Sequence, residues 1–129
     1  DHVTLLKKIS HDEVLKNMQA SDLLILPSVE EGIANVVLEA MAIGLPVLSS
    51  DCGGMKEVIR HGENGYLFRN RDCEDLLRKL ELWIGAAEDR KMNMIQQARS
   101  DIMIKHSLDR LGKEMTAFYE SINNSSGNL

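Results

Sequence analysis

No apolar run in the sequence approaches the ~18–20 residues that a membrane-spanning helix needs. No signal peptide is visible either. A cytoplasmic location is therefore expected, and a membrane-peripheral place for a full-length enzyme stays open. Positive charge is also scarce, since 15 Lys and Arg against 20 Asp and Glu leave a net charge of -5. That balance argues against a nucleic-acid surface. It also means that a phosphate site here must draw on backbone dipoles or on cations outside this chain. Only two cysteines occur, Cys52 and Cys73, without metal-site spacing. They are expected to be free thiols in a reducing compartment, although one disulfide is sterically conceivable. His2, His11, His61 and His106 are scattered, with no pair at ligand spacing. All four read as surface or loop residues, and neither a metal nor another cofactor is expected. There is no internal repeat.

What remains is an ordinary water-soluble composition, 43% apolar and 27% charged over 129 residues. That length suffices for one compact domain. The chain opens on Asp1 and enters a strand-like run at once, so a fragment of something longer is expected. Val3 to Lys7 reads as a strand. Ser10-His11-Asp12-Glu13 is a capping box that starts a helix running to about Gln19, with Val14, Leu15 and Met18 at helical spacing. Asp22 to Leu26 is a nearly continuous apolar run, as expected of a strand covered on both faces, and Pro27 ends it. Ser28 to Ala34 is a loop. A helix follows from about Asn35 to Ile43, with Val37, Leu38, Met41 and Ala42 buried and Gly44 just beyond its end. Pro46 to Ser49 is a second buried strand. Cys52-Gly53-Gly54 is a turn, Met55 to Arg60 a short helix, Asn64-Gly65 another turn and Tyr66 to Phe68 a strand.

Beyond this the chain turns helical. Cys73 to Gly85 presents Leu76, Leu77, Leu80 and either Trp83 or Ile84 on one side. Asp89 to about Lys105 presents Met92, Ile95, Ile102 and Met103. Ser107 caps a last helix to about Ile122, and the polar tail 123–129 is expected to be disordered. The alternation of strand and helix predicts an α/β fold, a Rossmann-like parallel sheet of about four strands with C-terminal helices, occupying 1–122 as a single domain.

The most informative stretch is Glu31 to Glu39. It sets two carboxylates at the ends of a loop that becomes a helix, just after a strand. Open α/β sheets bind ligands at the carboxyl ends of their strands. The amides of Ile33, Ala34, Asn35 and Val36, near the helix start, can face phosphate oxygens, and Gly32 allows close backbone approach. A carboxylate can accept from vicinal sugar hydroxyls. Glu39 suits a ribose and Glu31 a transferred sugar, so the ligand expected is a nucleotide-sugar. Spacing alone leaves a plainer reading open. A Glu near a helix start is favoured by the helix dipole, and Glu39 is equally read as a solvated residue of an amphipathic helix. Gly53-Gly54 with Glu57 reads better as a tight turn and capped helix than as a donor contact. Lys56 and Arg60 read as solvated. Trp83 reads as core rather than sugar platform, and the Met-rich helix from Lys91 to Ile104 as core or interface.

As a set, Leu26-Pro27-Ser28, Glu31-Gly32, Asn35 to Ala42, Gly44, Pro46-Val47, Gly53-Gly54 with Glu57, Gly62 and Gly65-Tyr66-Leu67 resemble the retaining GT-B glycosyltransferases of group 1, also called glycosyltransferase family 4. The likeness covers about residues 2 to 84 and is to the C-terminal, donor-binding domain. Ile33 and Ala34 depart mildly from the aromatic and the Pro or Gly common there, which bears on pocket shape. The resemblance implies that Glu31 and Gly32 contact the donor sugar, that Gly32 with Ile33, Ala34, Asn35 and Val36 approaches the diphosphate, and that Glu39 binds the ribose. It implies no metal. It also implies that an N-terminal acceptor-binding domain and a basic Arg/Lys pair belong to the complete enzyme, so that this chain alone is expected to be inactive. The four expected strands would correspond to 3, 4, 5 and 6 of the doubly wound order, with Val3 to Lys7 beside Asp22 to Leu26 or an open edge covered by a second copy. Two other readings of the function remain at this point. One is a non-catalytic nucleotide- or phosphate-binding module or a packing relic. The other is a fragment of a GT-B-type sugar-nucleotide epimerase.

Overall fold

The computed structural model of the protein describes residues 2–29 and 35–105. The elements are α1 (His11–Gln19), β1 (Leu24–Leu26), α2 (Asn35–Ile43), β2 (Val47–Asp51), α3 (Met55–Val58), β3 (Tyr66–Arg69), α4 (Cys73–Ile84) and α5 (Glu88–Lys105). Among the described residues the strands form one parallel sheet in the order β1-β2-β3, with Leu26 opposite Ser49 and Ser50 opposite Phe68. The expected α/β Rossmann-like architecture is therefore present, with three strands rather than about four. The helix expected from Ser107 and the tail beyond it lie outside the described residues.

The missing strand is Val3 to Lys7. It forms no strand, and Val3, Leu5 and Leu6 are exposed. A β-branched, apolar stretch becomes a strand only where a neighbour completes its hydrogen-bond ladder. Among the described residues none pairs with it.

The central strand β2 divides the core. Successive side chains of a strand point to opposite faces. Val47 accordingly joins a cluster with Leu15 and Met18 of α1, Val37, Leu38 and Met41 of α2, Met55 and Val58 of α3, and Ala98 and Ile102 of α5. Leu48 joins Tyr66, Phe68, Trp83 and Met94 on the other face. Trp83 is core, as its sequence context predicts, and meets Tyr66 edge-on at 6.3 Å. Within α4, Leu76 and Leu80 pack against that cluster while Leu77 and Ile84 are exposed. On α5 the expected Met92 and Met103 face solvent, whereas the expected Ile102 is buried together with Met94 and Ala98.

Local chemistry sets the helix ends. Ser10 Oγ accepts from the Glu13 amide at 3.2 Å, so the capping box starts α1 where predicted. Asp72 Oδ1 accepts from the Asp75 amide at 2.9 Å and starts α4. Helix α2 stops at Gly44, whose φ of 88° is open to glycine and strained for most other residues. The Leu45 amide then donates back to the Ala40 carbonyl at 2.8 Å.

Arg60 is not a solvated side chain. It donates to Glu63 Oε2 and to Asp101 Oδ2, each at 2.7 Å. Fully buried Asn64 completes the join, donating to the Val58 carbonyl at 3.0 Å and to Asp101 Oδ2 at 2.9 Å, and accepting from the Arg60 amide at 2.8 Å. This network fastens α5 to the α3–β3 connection. Among the described residues no helix is long and apolar enough to cross a membrane.

Candidate functional site

The parallel strands β1, β2 and β3 all end on one edge of the sheet, and three side-chain contacts gather the connections there. Ser50 is buried in β2, its hydroxyl against the carbonyl oxygens of Ser28 and Leu26. Asn70, just past β3, donates through Nδ2 to the Val29 carbonyl at 2.9 Å. Ser28 and Val29, just past β1, are thus tied to β2 and to the residue after β3. The cysteines are free thiols, Cys52 buried and Cys73 exposed, and Cys52 Sγ lies 3.5 Å from Ser50 Oγ. The turn at Gly53-Gly54 leads into α3, where Lys56 meets Asp51 at 3.2 Å and Glu57 is exposed.

Helix α2 leaves this edge and runs back along the sheet. Asn35 is exposed at its first position and Val36 is half-buried against the core. The first amides of a helix have no partner within the helix. Glu39 lies one turn further on, its side chain only 10% exposed. It is not the solvated residue of an amphipathic helix, because Val37 to Ala42 are all buried. Burial raises its proton affinity, and His11 partly offsets the effect. His11, the first residue of α1, brings Nε2 to 3.5 Å from Glu39 Oε1. Glu31, Gly32, Ile33 and Ala34 lie outside the described residues. Of the sequence-predicted site, Asn35, Val36 and Glu39 therefore stand together on one helix at the carboxyl edge.

Sequence reasoning overlooked His11, Ser50 and Asn70. Ser50 had a usable signal, since a serine inside an apolar strand run must find a partner. His11 was hidden in a capping box, where its neighbours explained the local pattern. Asn70 belongs to a surface turn and carries no signal in sequence. The clefts at the opposite, amino end of the sheet are separate. One of about 480 Å³ lies among Asp22, Gly44, Pro46, Trp83 and Lys91, and another of about 340 Å³ among Arg60, Glu63, Arg90 and Asn93.

A three-stranded parallel sheet with helices packed against it, one of which leaves the carboxyl edge and carries a buried acid, is a Rossmann-like α/β arrangement. The chain belongs to the family "Glycosyl transferases group 1", whose model matches residues 1–101. It is 35% identical over 111 residues to the N-acetyl-alpha-D-glucosaminyl L-malate synthase of Bacillus anthracis, covering 81% of this chain and 29% of that protein. It is 36% identical over 86 residues to the D-inositol 3-phosphate glycosyltransferase of Rhodococcus erythropolis, covering 67% and 18%. Among solved structures it resembles the C-terminal domain of a glycosyl transferase group 1 family protein of Francisella tularensis, with a TM-score of 0.70, 24% identity and coverage of 79% and 52%. An Anabaena protein solved with UDP-glucose gives a TM-score of 0.68, 24% identity and coverage of 84% and 30%. The chain spans between 20% and 30% of the length of the first curated relatives it matches.

Proposed function

We propose that this chain is the donor-binding part of a retaining glycosyltransferase of hexosyl type, which moves a sugar from a nucleotide-sugar to an acceptor. Family membership supports the reaction class. The observation that carries the reading is the buried, desolvated Glu39 one turn inside a helix that starts at the carboxyl edge of the sheet. An acid held at that edge against the cost of its burial fits a polyol ligand. In this reading Glu39 accepts from the ribose hydroxyls. The amides of Ile33, Ala34, Asn35 and Val36 meet the diphosphate at the positive end of α2. Glu31 and Gly32 hold the transferred sugar. The site needs no metal ion, and the nucleotide-sugar is a substrate rather than a cofactor.

Transfer also needs positive charge on the departing diphosphate and a place for the acceptor. Charge stabilisation of that kind carries much of the rate in such reactions. We assign both to an N-terminal acceptor domain and a basic pair outside these 129 residues. The test is calorimetric titration of the chain with UDP-, GDP- and ADP-sugars, paired with a transfer assay on labelled donors. Saturable binding of one nucleotide class without turnover is expected. Failure to bind any of them overturns the donor-site reading, and turnover at ordinary enzyme rates overturns the predicted inactivity.

A further inference from the structure

We propose that His11 is a positioning residue for Glu39, holding its carboxylate in the orientation that reads the vicinal hydroxyls of a ribose. The proposal rests on the donor-site reading above and adds to it a residue from a different helix.

The geometry begins with the fold of α1. Residues at i, i+4 and i+7 share one face of a helix. His11, Leu15 and Met18 have that spacing, and Leu15 and Met18 are buried in the core against α2. His11 thus lies on the inward face of α1, and its backbone is pinned by the Ser10 cap one residue earlier. Its ring is directed at α2, yet the side chain stays 43% exposed because it sits at the open end of the face. A surface histidine with no task would have the rest of the helix circumference available.

The carboxylate it meets is 10% exposed, and His11 is its ion-pair partner among the described residues. Elsewhere on α2 there is no other ionisable side chain, and α1 adds Asp12, Glu13 and Lys16, of which the acids occupy its first turn. Burial pushes the Glu39 carboxyl toward its neutral form, which donates one proton and accepts poorly from a diol, and the imidazole opposes that shift. The bonding capacity also closes. An ionised carboxylate offers about four lone-pair sites, so one directed at Nε2 leaves enough for two sugar hydroxyls. The 3.5 Å contact biases the carboxylate group toward one orientation before ligand arrives, which lowers the ordering cost on binding.

The test compares the 129-residue chain with His11→Ala and His11→Gln. UDP, GDP and ADP are titrated first, and the tightest of them is then compared with its 2′,3′-dideoxy form. The wild type should prefer the ribose form by roughly 10-fold or more, the size of a charged hydrogen bond. His11→Ala should collapse that preference while folding normally by thermal melt. His11→Gln, whose side-chain amide can place an N–H near the position of Nε2, should restore most of it. A preference unchanged in His11→Ala overturns the proposal, and so does a Gln variant as poor as the Ala variant. If the wild type binds no nucleoside diphosphate at all, the donor-site reading falls and this proposal falls with it.

Discussion

Glu39 costs stability where it stands. Burial raises its pKa above the ordinary 4.5, so the folded state holds that proton more tightly than the unfolded chain does. Linkage then makes stability fall as pH rises from 4.5 through the raised value, and the cost is fully present above it. Glu39→Gln removes the charge and keeps the shape. At pH 7 it should melt no lower than wild type while nucleoside diphosphate affinity falls by roughly 10-fold or more, a trade-off measurable by calorimetry on one sample. A lower melting temperature with unchanged affinity would mean that the carboxylate is there for packing. Asp75 has the opposite sign. The Arg69 amide, donating at 2.7 Å, is the main cause that holds its carboxyl down at about 2 from an ordinary 3.8, with Lys79 and Arg78 assisting. Its contribution is complete above 3.8 and is lost as pH falls from there toward 2. Asp75→Asn should therefore flatten the acid limb of stability across that window, as followed by circular dichroism.

The network around Asn64 decides how α5 is attached. Asp101→Ala removes the acceptor of both Arg60 and buried Asn64. One Asn64 N–H then loses its partner inside the protein, and the loss should be about 1–3 kcal/mol in a denaturant titration. This join also shows where the sequence was readable. The bounds of α2 were legible to the residue, because an apolar run broken only by Glu39 ends at a glycine that stops the helix. Helix α1 was legible from its cap. The face of α5 was not. Met92, Met94, Ile95, Ile102, Met103 and Ile104 spread apolar character around its circumference, so the pattern does not single out the buried side. The deciding residues were Ala98 and Asp101, a small side chain and a charged one, which burial scales do not favour together. Val3 to Lys7 failed for another reason. Its composition suits a strand, but strand formation is a property of a pair. At the site, the sequence placed Asn35, Val36 and Glu39 on the right helix, while the contact from His11 depends on packing between α1 and α2 that no local spacing encodes.

The sheet as a whole carries an open side. Strand β1 is hydrogen-bonded to β2 alone among the described residues, and Ile25 within it is 38% exposed. Val3, Leu5 and Leu6 are exposed as well, and β1 carries no charged side chain to discourage pairing. Unpaired strand edges are templates for another chain, and natural proteins guard them with charge or cover. Among the described residues neither guards that edge, so a second copy pairing along β1 is the expected occupant. Sedimentation of the 14.5 kDa chain should show its mass rising toward twice that value with concentration. The double variant Leu5→Lys, Ile25→Lys should remain a monomer, and a wild type that stays monomeric at every concentration would remove the edge from consideration. Self-association and ligand binding can be separated, because pairing runs along the side of β1 whereas the candidate site lies at its carboxyl end. Nucleoside diphosphate affinity should then be the same for the wild type and the monomeric variant. A variant that loses binding together with self-association would place the second copy inside the site and require the surroundings of Glu39 to be built from two chains.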